Sequence, residues 1–152
     1  MATHHENTDR LTELFEGDRY ARSLGVELVD WAGGTATVAA TPGAEHTNFL
    51  GTVHGGFLFS AADVALGVAA NSWGRQSLAL SIDIKYLTAA ATESRITFVA
   101  TEVNRSRSIG TYRLDVHGED GSLVSTAVAL AYRTRAWHFG DDAWPEEWRA
   151  TH

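Results

Sequence analysis

No cysteine occurs among the 152 residues. That excludes disulfides, cysteine-based metal centres and a thiolate nucleophile. No apolar run is long enough to cross a bilayer. The longest, residues 55–70, falls short of the roughly 20 residues a spanning helix needs and carries Asp63 within it. The opening MATHHENTDR lacks the apolar core of a secretory signal, so the expected compartment is the cytoplasm. Positive charge is scarce: 12 Lys and Arg face 19 Asp and Glu, for a formal net charge of −7. Such a balance argues against broad nucleic-acid binding, though a local basic patch can still hold a small anion. The length suits one domain with a core of its own.

The chain order reads as one α+β domain over residues 11–135, between a flexible N-terminal tail (1–10) and an acidic, aromatic C-terminal tail (136–152). Three of the seven histidines, His4, His5 and His152, lie near the termini and read as solvated. Helical spacing begins at Leu11, Leu14 and Phe15, with Asn7, Thr8 or Asp9 as N-cap, and predicts a short helix over about 8–21. VELVDWAGGTATVAAT reads as a hairpin turning at AGG. PGAEHTNFLGT is a loop, and a long apolar helix follows it. Four alternating segments, LALSIDIKYL, RITFVATEVNR, GTYRLDVHGE and LVSTAVALAYRTR, predict an antiparallel sheet.

Between Glu45 and Arg75 the only Asp, Glu, Lys or Arg is Asp63. On a helical wheel, Phe57, Leu58, Ala61, Ala62, Ala65, Leu66, Val68 and Ala69 cover most of the circumference. Ser60, Asp63, Gly67 and Asn71 share the one polar sector. A helix apolar nearly all round is buried, and Gly67 suggests close backbone approach. A carboxylate there is costly unless something pairs with it or uses it. Two roles fit: a structural Asp bonded to a neighbouring hydroxyl or amide, or a reactive acid.

HGG at 54–56 precedes this helix. Two glycines allow a sharp entry and leave N–H groups open at the helix start, where negative charge is stabilised. An oxyanion on a thioester or ester carbonyl is one candidate occupant. His54 and Asp63 are nine residues apart, about half a turn out of phase and about 13 Å along one axis. They do not meet within one helix, so a shared substrate implies two subunits, each supplying half of two equivalent sites.

NFLGTVHGGFLFSAADVALGVAANS, with LGVELVDWAGGTATV upstream and LALSIDIKYLTAA downstream, resembles the hotdog-fold acyl-CoA thioesterases, above all the phenylacetic-acid-degradation thioesterase family. The resemblance covers about residues 20–135. It implies a long helix wrapped by a curved antiparallel sheet, in homodimers with shared active sites, commonly paired as homotetramers. It implies roles by position. Asp63 activates water or attacks the thioester carbonyl. Gly55 polarises that carbonyl through its N–H. His54 shapes the site, Asn48 sits near the thioester or water, and Ser81 orients the water. In that arrangement Asp63 faces Asn48, His54 and Gly55 of the other subunit.

Those residues imply hydrolysis of an acyl-CoA, with an aryl-acyl group (phenylacetyl or hydroxyphenylacetyl) or a medium straight chain. Coenzyme A is part of the substrate, and no separate cofactor is expected. Gly56 and Phe57 fall beside the expected carbonyl site. Arg105 and Arg107 of NRSRSIGTYR share a strand face by period two and suit the CoA phosphates, though a solvated strand end explains them equally. No metal is expected, since His46 and His54 lack zinc-like spacing. A hotdog hydratase or dehydratase acting on an enoyl or hydroxyacyl thioester remains an alternative, as does a non-catalytic acyl-CoA-binding protein.

Overall fold

A computed structural model describes residues 4–152, with side chains from Asn7 onward. Helix α1 spans His4–Glu16 and α2 spans Arg19–Ser23. The single N-terminal helix expected from the sequence is therefore two, broken at Gly17, with Asp18 capping α2 through the Ala21 N–H at 2.9 Å. The expected tail overlaps α1 from His4; residues 1–3 of it lie outside the described residues. Asn7 is not an N-cap. It is wholly buried within α1 and donates its amide to the Ala143 carbonyl at 2.7 Å.

Strands β1 (Glu27–Ala32) and β2 (Thr35–Ala40) form the expected hairpin around Gly33 and Gly34. Helix α3 spans Gly55–Asn71. Strands β3 (Arg75–Tyr86), β4 (Ile96–Arg105), β5 (Ile109–His117) and β6 (Leu123–Trp137) follow. The six strands make one antiparallel sheet in the order β1-β2-β4-β5-β6-β3. This curved sheet wraps α3, the hotdog fold.

The alanines explain the close wrap. Ala61, Ala65 and Ala69 on α3 and Ala100, Ala129 and Ala131 on the sheet are fully buried. Small side chains on both surfaces let helix and sheet approach, while Phe57, Leu58 and Leu66 fill the remaining volume. Burying each of these larger side chains is worth about 1.5–3 kcal/mol relative to exposure. Among the described residues, no helix is long and apolar enough to cross a membrane.

Two edges remain. Strand β3 is one of them, and Leu78, Leu80 and Tyr86 along it are all more than half exposed. A bulge between Ala79 and Ser81 shifts the alternation, so Ile82 and Ile84 pack on the core while Leu80 does not. The C-terminal segment is anchored on the molecule. Trp137 and Trp144 join Leu11 in a second small core, and helix α4 (Glu146–Thr151) brings Trp148 against it.

Candidate active site

His54 begins the site. It is the N-cap of α3 and its Nδ1 accepts the Gly56 N–H at 2.8 Å. An accepting Nδ1 fixes the neutral tautomer, with Nε2–H turned outward from an exposed ring. Glycine at 56 makes this possible, because a Cβ there would lie 2.9 Å from His54 Nδ1. The next N–H, that of Gly55, has no acceptor among the described residues, while its carbonyl accepts Tyr86 Oη–H at 3.0 Å. A Cβ on Gly55 would stand 3.2 Å from the Tyr86 ring. One free donor thus stays open at the positive end of the helix dipole, where an oxyanion is stabilised.

This donor opens into a cleft of about 410 Å³ that also holds Asn48, Thr52, Leu58, Tyr86 and Leu87. Asn48 closes its own turn there. Its Oδ1 accepts the Leu50 N–H at 2.9 Å and its Nδ2 donates to Thr52 Oγ1 at 3.0 Å. The turn projects Phe49 and Leu50 outward, 97% and 74% exposed.

Asp63 lies elsewhere. Its carboxyl opens into a separate cleft of about 430 Å³ with Asp18, Tyr20, Ser60, Asn71, Leu78 and His138 among its walls. Burial raises the Asp63 pKa above the ordinary carboxylate range, and the negative charge of Asp18 adds to the shift. None of the hydrogen bonds or ion pairs among the described residues takes up this carboxyl, so the structural pairing considered for it is absent. Gly67 also departs from expectation. A Cβ there would meet nothing within 4 Å, so the glycine widens the Asp63 cleft and does not seat a neighbouring strand.

The other expected site residues separate. Ser81 is exposed on β3 and lines neither cleft. Phe57 is 5% exposed and packs in the core, its ring 4.5 Å from that of His46, so it lines neither cleft. Arg105 and Arg107 do not share a strand face. Strand β4 ends at Arg105, which turns inward over Trp73, while Arg107 lies exposed in the following turn.

Sequence reasoning missed Tyr86 and His138. Tyr86 ends the alternating run of β3, a position from which a side chain can reach a helix start. His138 sits in the tail, with no local signal. Its Nε2 lies 2.8 Å from Asn71 Oδ1, an acceptor, so Nε2 carries the hydrogen. Burial lowers the His138 pKa, which favours the neutral ring.

A partly buried acid without a partner among the described residues and a free N–H at a glycine-opened helix start are features an acyl-transfer centre can use. The sequence profile of the thioesterase superfamily matches residues 50–125, the segment that holds both. The chain belongs to the thioesterase superfamily. It is a thioester hydrolase. Within the superfamily it is similar to the acyl-coenzyme A thioesterase PaaI of Escherichia coli, 27% identical over 129 residues, 85% of this chain and 92% of that one. The solved structure of that protein superposes with a TM-score of 0.81 at 26% identity, covering 86% of this chain and 94% of the other. A Thermus thermophilus protein of known structure is 38% identical, with a TM-score of 0.74 over 77% of this chain and 98% of its own. A hypothetical thioesterase protein of Streptococcus pneumoniae solved with coenzyme A is 25% identical, with a TM-score of 0.69 over 72% of this chain and 88% of its own.

Proposed function

We propose that the protein hydrolyses acyl-CoA thioesters, with an aryl-acetyl or medium-chain acyl group, at sites shared between two subunits. The observation that carries this reading is the separation of Asp63 and the Gly55 N–H into two clefts that both border β3. Leu78 and Ala79, near its start, line the Asp63 cleft. Tyr86, at its end, lines the Gly55 cleft. Antiparallel pairing of β3 with the same edge of a second copy sets the start of one strand beside the end of the other. Asp63 of one protomer then faces Gly55, His54 and Asn48 of its twin. The exposed Leu80 and Leu87 on this edge and Phe49 and Leu50 beside the Gly55 cleft are the apolar area such an interface buries. Two such dimers back to back make the homotetramer expected from the sequence.

The thioester carbonyl docks on the Gly55 N–H. Asp63 takes a proton from a water, and that water's oxygen bonds to the carbonyl carbon. The oxyanion collapses, the C–S bond breaks, and the departing thiolate takes up a proton as CoA. Direct attack by the carboxylate, through an anhydride that water opens, gives the same products. The relative bound to coenzyme A and the acyl-coenzyme A thioesterase relative support the CoA moiety. Apolar walls at Leu14, Phe15, Val64 and Val68 in the Asp63 cleft support an acyl chain, with the neutral His138 and Asn71 beside them. Free-thiol release across phenylacetyl-, hydroxyphenylacetyl- and straight-chain acyl-CoAs tests the reading. Turnover of at least one of these classes is expected, and none with any of them refutes it.

A further inference from the structure

The Asp63 cleft follows α3 and ends on the C-terminal segment. Asp63 and Asn71, both in its wall, are eight residues and so about 12 Å apart along the helix axis. Gly67 stands between them, and with open space where its Cβ would be, the path stays clear. Leu14, Phe15, Val64 and Val68 make the sides apolar. The polar groups gather at the two ends. Beside Asp63, Tyr20 Oη and Ser60 Oγ lie 3.1 Å apart, and Asp18 places its negative charge. Asn71, Ser77 and His138 stand at the far end.

Hydrogen bonding fixes what that far end offers. Asn71 Nδ2 donates to the Gly67 carbonyl at 2.8 Å and to the Ser77 carbonyl at 3.0 Å, and its Oδ1 accepts the Ser77 N–H at 2.9 Å. These bonds orient the amide, so Oδ1 takes its second bond from His138 Nε2–H. Burial favours the neutral ring, which leaves His138 Nδ1 an open lone pair. Nδ1 has no partner among the described residues, and it is not one of the unpartnered atoms sealed from solvent. Ser77 Oγ already donates to the Arg75 carbonyl at 3.2 Å. An apolar cleft thus ends on one open acceptor.

We propose that His138 selects acyl groups bearing a hydroxyl at the end remote from the thioester, with that hydroxyl donating to Nδ1. The proposal rests on the reading that the Asp63 cleft takes the acyl group. A site with a fixed acceptor discriminates because an analogue without the hydroxyl leaves the acceptor unmet. A carboxylate at the same place would set acceptor against acceptor and is disfavoured. His138 lies outside residues 50–125, so this device belongs to the chain's own C-terminal segment and not to the part that the superfamily profile matches.

Thiol release from matched thioesters tests it in wild type and His138→Phe. The pairs are para-hydroxyphenylacetyl- against phenylacetyl-CoA and ω-hydroxyhexanoyl- against hexanoyl-CoA. Wild type is expected to favour the hydroxylated member of at least one pair by about five- to tenfold in kcat/KM. His138→Phe should bring that ratio close to one. A histidine that only supports the fold would lower both members together and leave the ratio standing, which overturns the proposal. A wild type without preference in either pair overturns it as well. Should His138→Phe not fold, Gly67→Leu decides: a side chain set between Asp63 and His138 should erase the preference, and a preference left intact overturns the proposal. Calorimetric binding of para-hydroxyphenylacetate against phenylacetate separates this inference from the hydrolysis reading. A His138-dependent preference in binding, with no thiol release from any thioester, supports the subsite and counts against hydrolysis alone. Neither thiol release nor a binding preference overturns both.

Discussion

Asp63 and Gly55 lie on the same helix, eight residues and so about 12 Å apart along its axis, and open into different clefts. The acid is partly buried without a partner among the described residues, and the N–H donor has no acceptor there. Neither reaches the other within the chain.

Asp63→Asn is isosteric and removes only the charge. Thiol release should fall by about 10²–10⁴-fold, the contribution of a general base or nucleophile. The midpoint of thermal unfolding at neutral pH should stay level or rise, because the variant relieves a partly buried carboxylate without a partner. Activity within tenfold of wild type would remove Asp63 from the reaction.

The raised Asp63 pKa sets two pH dependences of opposite sense. The acid limb of kcat/KM should have its midpoint above about 3.9, the ordinary Asp value, since only the carboxylate reacts. For stability, the folded state holds this proton more tightly than the unfolded chain. Stability contributed by Asp63 is therefore greatest below the unfolded pKa and is lost as pH rises through the folded one. Urea unfolding of wild type and Asp63→Asn across pH 3–8, the range spanning this titration, should show that difference, and an acid limb at or below the ordinary value would contradict it.

Gly56→Ala places a methyl 2.9 Å from His54 Nδ1 and should dislodge the cap. Loss of an N-cap of this kind costs about 1 kcal/mol, read by urea unfolding. Turnover should fall with it, since the same turn aims the Gly55 N–H. Unchanged stability and turnover would show that the cap does not hold the helix start.

Leu80→Lys sets a charge on the exposed edge of β3. If that edge pairs with a second copy, light scattering should show dimer affinity reduced by about tenfold or more. Turnover should fall in step with the dimer fraction and recover at high protein concentration. A fully active monomer would refute the shared site.

Much of the fold was legible because burial writes a period into sequence. The strands of the sheet announced themselves by alternation, and α3 by an apolar surface broken only at Ser60, Asp63, Gly67 and Asn71. Asp63 stood out for the same reason: one acid in a long apolar stretch has few inexpensive explanations. Gly67 was misread because composition tells that space is needed, not what fills it. The N-terminal helix was drawn too long because propensity runs through Gly17, where Asp18 caps a new turn. Arg105 and Arg107 were paired by a period that ends where β4 ends.

The sequence by itself determined most of the elements and singled out Asp63 and the HGG turn, because each shows in neighbours close along the chain. Only the tertiary structure decided which groups share a space. It divided Asp63 from Gly55, brought His138 from the tail to Asn71 at 2.8 Å, and paired Arg105 with Glu102. Such meetings join residues far apart in the chain, 67 positions for His138 and Asn71. They follow from sheet order and packing, which no local pattern of residues records.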